Sequence, residues 1–109
     1  MSYEMHEGEQ PYCIARRFNV NPEELLALNN KTPGSINRIG EIIKIPQTGN
    51  PFPSSRALQL HPTTYTVLPN ETIYSIACKF GDVFPEDIVS KNGLVPPYTL
   101  VVGQILEIP

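Results

Sequence analysis

The chain has 109 residues, a formal net charge of −3 and a pI near 5.3, with 40% hydrophobic and 17% charged residues. That length admits one ordinary domain or two very small ones. Its eight basic residues are scattered, which excludes an electrostatic nucleic-acid binder, and no apolar run approaches the roughly 20 residues of a membrane span.

In chain order, a short strand is expected near Tyr3 to His6 and a helix from Pro11 to Phe18. Arg16-Arg17, the longest basic run, reads as two solvated helix positions. A second helix is expected from Pro22 to Leu28. Asn21 suits its N-cap, Pro22 its first position, and Glu24 the return arm of a capping box. Leu25 and Leu28 supply its buried side, and Asn29-Asn30 ends it, because Asn tolerates the left-handed residue of a C-cap. A loop from Lys31 to Ile39 leads to a closing strand, Glu41 to Ile45, stopped by Pro46, which has no N–H to donate.

Residues 47–64 read as a Pro-rich linker, with Pro51, Pro53 and Pro62 among Gly, Ser, Thr and Asn. Phe52, Leu58 and Leu60 are candidates to dock on a neighbour. If they dock, the flanking units sit at a fixed angle; if not, they swing independently. A strand at 65–68 follows, then a turn at Pro69-Asn70 and a helix at 73–80. There Ile73, Ile76, Ala77 and Phe80 fall on one face, with Gly81 as the stop. A fourth helix at 85–91 and a last strand at 104–108 complete the chain.

The two halves repeat one another. At a constant offset of 62, Tyr3/Tyr65, Glu9/Glu71, Tyr12/Tyr74, Ile14/Ile76, Ala15/Ala77 and Phe18/Phe80 are identical. After one inserted residue the offset is 63, and Pro22/Pro85, Glu23/Glu86, Asn29/Asn92, Pro33/Pro96, Gly40/Gly103, Ile42/Ile105, Ile45/Ile108 and Pro46/Pro109 agree. Ordered identity with one single-residue gap marks a tandem repeat. One departure is local: Leu100 lies three residues before Gly103, but Asn37 lies before Gly40, so Ile36 or Ile39 is expected to fill that place.

Each copy resembles a lysin motif (LysM) module. The second carries YTV, NET, IYSIA, KNG and VGQILEIP in order; the first keeps EGE, YCIA, RRFN, PEELLALN and GEIIKIP. The resemblance covers residues 3–46 and 65–109. It implies an α+β fold of two βααβ modules, each a two-stranded antiparallel sheet with two helices packed on one face. It also implies non-catalytic binding of N-acetylglucosamine-containing polysaccharide, peptidoglycan or chitin, in a groove between the loop after the first strand and the loop after the second helix. In the second copy that groove is Asn70, Glu71, Thr72 and Ile73 with Leu94, Val95, Pro96, Pro97 and Tyr98. In the first it is Gly8, Glu9, Gln10 and Pro11 with Lys31, Thr32 and Pro33, continuing to Ser35. The second copy fits the demand better, with more apolar contact and an aromatic edge; the first either prefers a different glycan or is a degenerate partner.

Catalytic and metal chemistry find little support. His6 and His61 have no counterparts in the other copy and no ligand spacing to the cysteines, so both read as surface histidines, and no cofactor is expected. Glu9/Glu71 and Glu23/Glu86 recur where they support a turn and a helix start, and Asn29/Asn92 where they tie down loop backbone. Cys13 and Cys78 are not equivalent positions, since Cys13 aligns with Ser75 and Cys78 with Arg16. They form an inter-module disulfide only if the two leading helices pack together. Otherwise they are free thiols, as the Lys or Arg common at position 78 in the resembled family suggests.

The resemblance implies a cell-wall or extracellular place. No signal peptide precedes Tyr3, so the expectation divides between a mature or excised fragment of something secreted and a chain made without export, as in a spore envelope built from inside the mother cell. The competing functions are an envelope or spore-coat scaffold that binds protein, and a piece of a wall hydrolase.

Overall fold

A computed structural model describes residues 1–109. The element order is β1 (Ser2–Glu4), α1 (Pro11–Phe18), α2 (Pro22–Leu28), β2 (Ile42–Lys44), β3 (Thr63–Thr66), α3 (Ile73–Phe80), α4 (Pro85–Asn92) and β4 (Ile105–Ile108). Thr63 and Thr64, which sequence places in the connecting segment, belong to β3.

Two antiparallel pairs form, β1 with β2 and β3 with β4, and their registers coincide once the repeat offsets are applied. Tyr3 faces Ile43 as Tyr65 faces Leu106, and Glu4 faces Ile42 as Thr66 faces Ile105. A one-residue slip would turn every side chain to the other face, so the shared register carries the same core positions in both copies. The larger core joins Val67, Ile73, Ile76, Ala77, Phe80, Val83, Ile88, Leu106 and Ile108; the smaller joins Met5, Ile14, Leu25, Ile43 and Ile45. All four residues expected on the inner face of α3 are buried. Val83, at the inserted position, folds inward with them. Burying each such aliphatic contributes about 1.5–3 kcal/mol.

The same device closes each module. Asn29 Nδ2 donates to Leu25 O and Lys44 O, both at 2.8 Å, and its Oδ1 accepts from Lys44 N at 2.7 Å. Asn92 repeats this with Ile88 O, Glu107 O and Glu107 N at the same distances. Each Asn therefore pins the end of the second helix to the closing strand, with both amide N–H donors and one of the two oxygen lone pairs engaged.

Local departures from the sequence reading have local causes. Asn21 does cap α2, accepting from Glu23 N at 2.9 Å and Glu24 N at 3.2 Å. The capping box does not form, because Glu24 accepts instead from Asn50 N and Nδ2, at 3.1 and 3.0 Å, while Asn21 N donates to Asn50 O. Leu28 is exposed. Ile36 and Ile39 are 82% and 72% exposed, so neither fills the place that Leu100 occupies against the core of the second copy. The left-handed residue after α2 is Asn30, with φ 55°, rather than Asn29.

The connecting segment is bound to both copies. Phe52 is 4% exposed and sits edge-on to Tyr12, with ring centroids 5.2 Å apart and the Arg16 guanidinium 4.8 Å from its centroid. Leu58 N donates to Phe80 O at 2.8 Å, although the Leu58 and Leu60 side chains stay exposed. Gly81, at φ +90°, lets Arg56 O and the Arg16 side chain come against α3, where a Cβ would collide with both. His61 is no free surface residue: its Nε2 meets Asp82 Oδ1 at 2.7 Å, and its Nδ1 lies 2.8 Å from Pro109 O.

The copies also touch directly. Cys13 and Cys78 form a disulfide between α1 and α3, with Cα atoms 5.3 Å apart, so the thiol at position 78 is not free. Around it Phe18 meets Phe84 edge-to-face at 5.4 Å, and the His6 ring lies flat on Tyr74 with centroids 4.0 Å apart. Thr72 Oγ1 donates to Glu7 O at 2.9 Å, and Gly8, at φ +88°, packs against Ser75 so closely that a Cβ would lie 2.8 Å from the Ser75 Cβ.

Without reductant, alkylation of the unfolded chain should attach no label, and after reduction two, as read by intact mass. The double variant Cys13→Ser, Cys78→Ser should lose stability on the order of 4 kcal/mol in urea unfolding, the loop-closure value for a bridge of this span. Two labels without reductant would overturn the bridge.

Candidate functional site

At each expected groove stands an acid engaged by its own module, buried in the case of Glu9 and partly buried in the case of Glu71. Glu9 Oε2 accepts from Tyr3 OH at 2.6 Å and from Arg17 Nη1 at 3.0 Å, and its Oε1 accepts from His6 N at 2.8 Å. Glu71 does the same with Tyr65 OH at 2.7 Å, Leu68 N at 2.7 Å and Lys79 Nζ at 3.2 Å. Arg17 and Lys79 stand at the repeat offset of 62, so a tyrosine, an acid and a cation recur as one unit. Arg17 is 1% exposed, not solvated as its sequence context suggests, because Glu9 neutralises it inside the module. Arg16, the other half of that run, lies against both the Tyr12 and Phe52 rings.

These units set the first turn of each module, Glu9 from inside and Glu71 while also bordering the cleft. Burial acts to raise the Glu71 carboxyl. Hydrogen bonds from Leu68 N, Tyr65 OH and Lys79 outweigh it and hold the group below the ordinary range. Burial, followed by the bond to Glu71, pushes the Tyr65 phenol up; burial and Glu9 do the same to Tyr3.

In the first copy a cleft of about 570 Å³ opens between the start of α1, the start of α2 and the loop after α2. Of the residues expected there, Gln10, Pro11, Thr32 and Pro33, with Ser35, line it. Gly8 faces Ser75 of the second copy, Glu9 is turned inside, and Lys31 is held by Glu41 at 2.7 Å. Tyr12, Pro22, Glu23, Leu26 and Asn37 complete the lining. The first turn of α1 has no side-chain cap, since the Gln10 side chain makes no such bond, so N–H groups there lack a side-chain acceptor.

In the second copy the same positions line two smaller clefts of about 330 and 340 Å³. The His6 ring on Tyr74 stands between them, and both clefts share His6, Ile73, Tyr74 and Tyr98. Of the expected residues, Glu71, Thr72, Ile73, Pro97 and Tyr98 line them. Asn70 forms the left-handed turn at φ 65°, Leu94 packs on the core, and Val95 and Pro96 are exposed away from the lining. The α3 terminus is closed by a reciprocal cap, Ser75 N to Thr72 Oγ1 at 3.1 Å and Thr72 N to Ser75 Oγ at 2.9 Å. The larger cleft is thus in the first copy.

Sequence reasoning missed the helix side of both clefts, Tyr12/Tyr74, Pro22/Pro85, Glu23/Glu86 and Leu26/Val89. The signal was present: the first three pairs are identical between the copies, and Tyr12 is 49% exposed, so packing does not account for its identity.

The sequence profile of the LysM domain matches residues 7–46 and 65–109. Over 107 residues, 98% of this chain, it is 29% identical to the N-acetylmuramoyl-L-alanine amidase sle1 of Staphylococcus saprophyticus, of which it covers 31%. Over 41 residues, 38% of the chain, it is 51% identical to the cortical fragment-lytic enzyme of Bacillus anthracis, of which it covers 9%. The crystal structure of the Bacillus cereus spore cortex-lytic enzyme SleL aligns with all of the chain and 22% of its own, at 22% identity and a TM-score of 0.41. The chain therefore spans less than a third of the length of these relatives.

Glu71→Gln should cost about 1–3 kcal/mol, because Tyr65 OH, Leu68 N and Lys79 lose a charged acceptor. The acid side of the pH profile checks the cause. A carboxyl held low when folded stabilises above its unfolded value and loses that contribution as pH falls through the folded one. Urea midpoints should therefore drop below about pH 5 in the parent and less steeply in Glu71→Gln; parallel curves would contradict the assignment.

Proposed function

We propose that this chain, which belongs to the LysM domain family, binds N-acetylglucosamine-containing polysaccharide at the bacterial cell envelope, with peptidoglycan as its polymer and without catalysing a reaction on it. The observation that carries this reading is the 570 Å³ cleft of the first module between the helix starts and the loop after α2, which lies in the size range of small-ligand sites, about 300–1,000 Å³. Its lining has the two kinds of surface an N-acetylated sugar needs. Pro11, Leu26, Pro33 and the side of Tyr12 accept the methyl group and the apolar ring face. Uncapped first-turn N–H groups of α1, with Thr32 and Ser35, supply donors for the amide carbonyl and the sugar hydroxyls.

The names of two relatives support peptidoglycan over chitin, one being an N-acetylmuramoyl-L-alanine amidase and the other a cortical fragment-lytic enzyme. The non-catalytic part of the reading is supported by Glu9 and Glu71, which are each engaged by a cation and a turn N–H of their own module and do not form the pair across a cleft that glycoside hydrolysis uses. Two weak sites on one chain gain retention on a repeating polymer through effective concentration.

The intact chain should co-sediment with insoluble peptidoglycan. Asn37→Trp, which fills the first cleft from an exposed position, should lower the bound fraction roughly fivefold, a loss of about 1 kcal/mol, while leaving the urea midpoint unchanged. No retention of the intact chain on peptidoglycan or chitin would sink the glycan reading and favour a protein-binding scaffold.

A further inference from the structure

The second module's cleft is not built by the second module alone. We propose that the junction between the modules is a second, composite binding site for a chain of N-acetylated hexosamines, in which His6 and Ile39 of the first module stand against Ile73 and Tyr98 of the second. This rests on the glycan reading above and adds to it that the first module helps select what the second one holds.

Three observations carry it. The two clefts beside Tyr74 share His6, Ile73, Tyr74 and Tyr98, so they adjoin along a wall that the first module's His6 helps to build. Each is of a size that takes a sugar unit, at about 330 and 340 Å³. The second observation is that the intruding wall is fixed rather than draped. His6 stacks on Tyr74 at 4.0 Å with parallel planes, and its Nδ1 lies 3.0 Å from Glu9 Oε1. Glu7 O accepts from Thr72 Oγ1, and the disulfide closes the junction a turn away.

The third is Ile39. It is 72% exposed, although the bond from Gly40 N to Met5 O at 2.7 Å anchors its loop, and it lines the second module's cleft rather than the core of its own. Where Asn37 replaces the aliphatic anchor, the first module leaves this side chain outside, and it completes an apolar wall with Ile73 and Pro97. Tyr98 and Thr99 bring hydroxyl groups to the same cleft, so apolar face and polar rim occur together as a pyranose requires. The first module's own cleft has no such contribution from the second.

NMR titration of the intact chain with an N-acetylglucosamine oligomer tests this, because each cleft reports separately. In the parent chain, amide shifts are expected at Gln10, Thr32 and Ser35 and, independently, at Thr72, Thr99 and Tyr98. Ile39→Asp, at an exposed position, should weaken binding read at the second set roughly fivefold and leave the first set unchanged; His6→Ala should act in the same direction. Unchanged affinity at Thr72 and Tyr98 in both variants, or shifts confined to the first module in the parent, would overturn the composite site while leaving the glycan reading intact. No shift in either set would overturn both.

Discussion

The bond between Cys13 and Cys78 joins the leading helices of two modules that are each too small to bury much surface. A core of five residues in the first module and nine in the second leaves little margin for error. Linking α1 to α3 removes conformational freedom from the unfolded chain and places every other junction contact within reach. The Phe18–Phe84 pair, the His6–Tyr74 stack and the bond from Thr72 to Glu7 O all lie around this link. Phe52 and Arg16 extend the contact through the connecting segment. Two repeats that duplication alone would leave as beads on a string become a single body.

Within each module the constraint is the acid that follows the first strand. Glu9 and Glu71 gather a tyrosine hydroxyl, a turn N–H and a cation, and thereby fix the path from the first strand into the leading helix. At the opposite end Asn29 and Asn92 fasten the second helix to the closing strand. The cleft lies between these two fixed points, so its shape is set largely by a frame outside the lining, with Glu71 of the second module belonging to both. That separation explains how the first module keeps an open cleft although its loops diverge: Gln10 for Thr and Pro11 for an aliphatic change the lining and not the frame.

Much of this was legible in the residues. The helix faces followed from spacing, the repeat from its offsets, and the structural role of Asn29/Asn92 from its recurrence at a helix end. What stayed hidden depended on contacts between the halves. Nothing local distinguishes Arg17 from Arg16, yet one is buried on Glu9 and the other lies across two aromatic rings. His6 looks like any strand histidine until Tyr74 is placed opposite it. The disulfide was open for the same reason, since non-equivalent cysteines pair only if two helices meet, and their meeting is a long-range fact. Loop composition likewise does not reveal that the His6 ring of the first module borders the clefts of the second.

The account stands on the junction being closed as described, with the first module forming a wall of the second module's cleft. A NOESY spectrum of the oxidised chain with the His6 and Tyr74 rings assigned reads that contact directly. Cross peaks between the His6 imidazole protons and the Tyr74 ring protons are the predicted result. Assigned rings with no cross peaks between them would mean that the modules part at this face, and the shared wall would not exist.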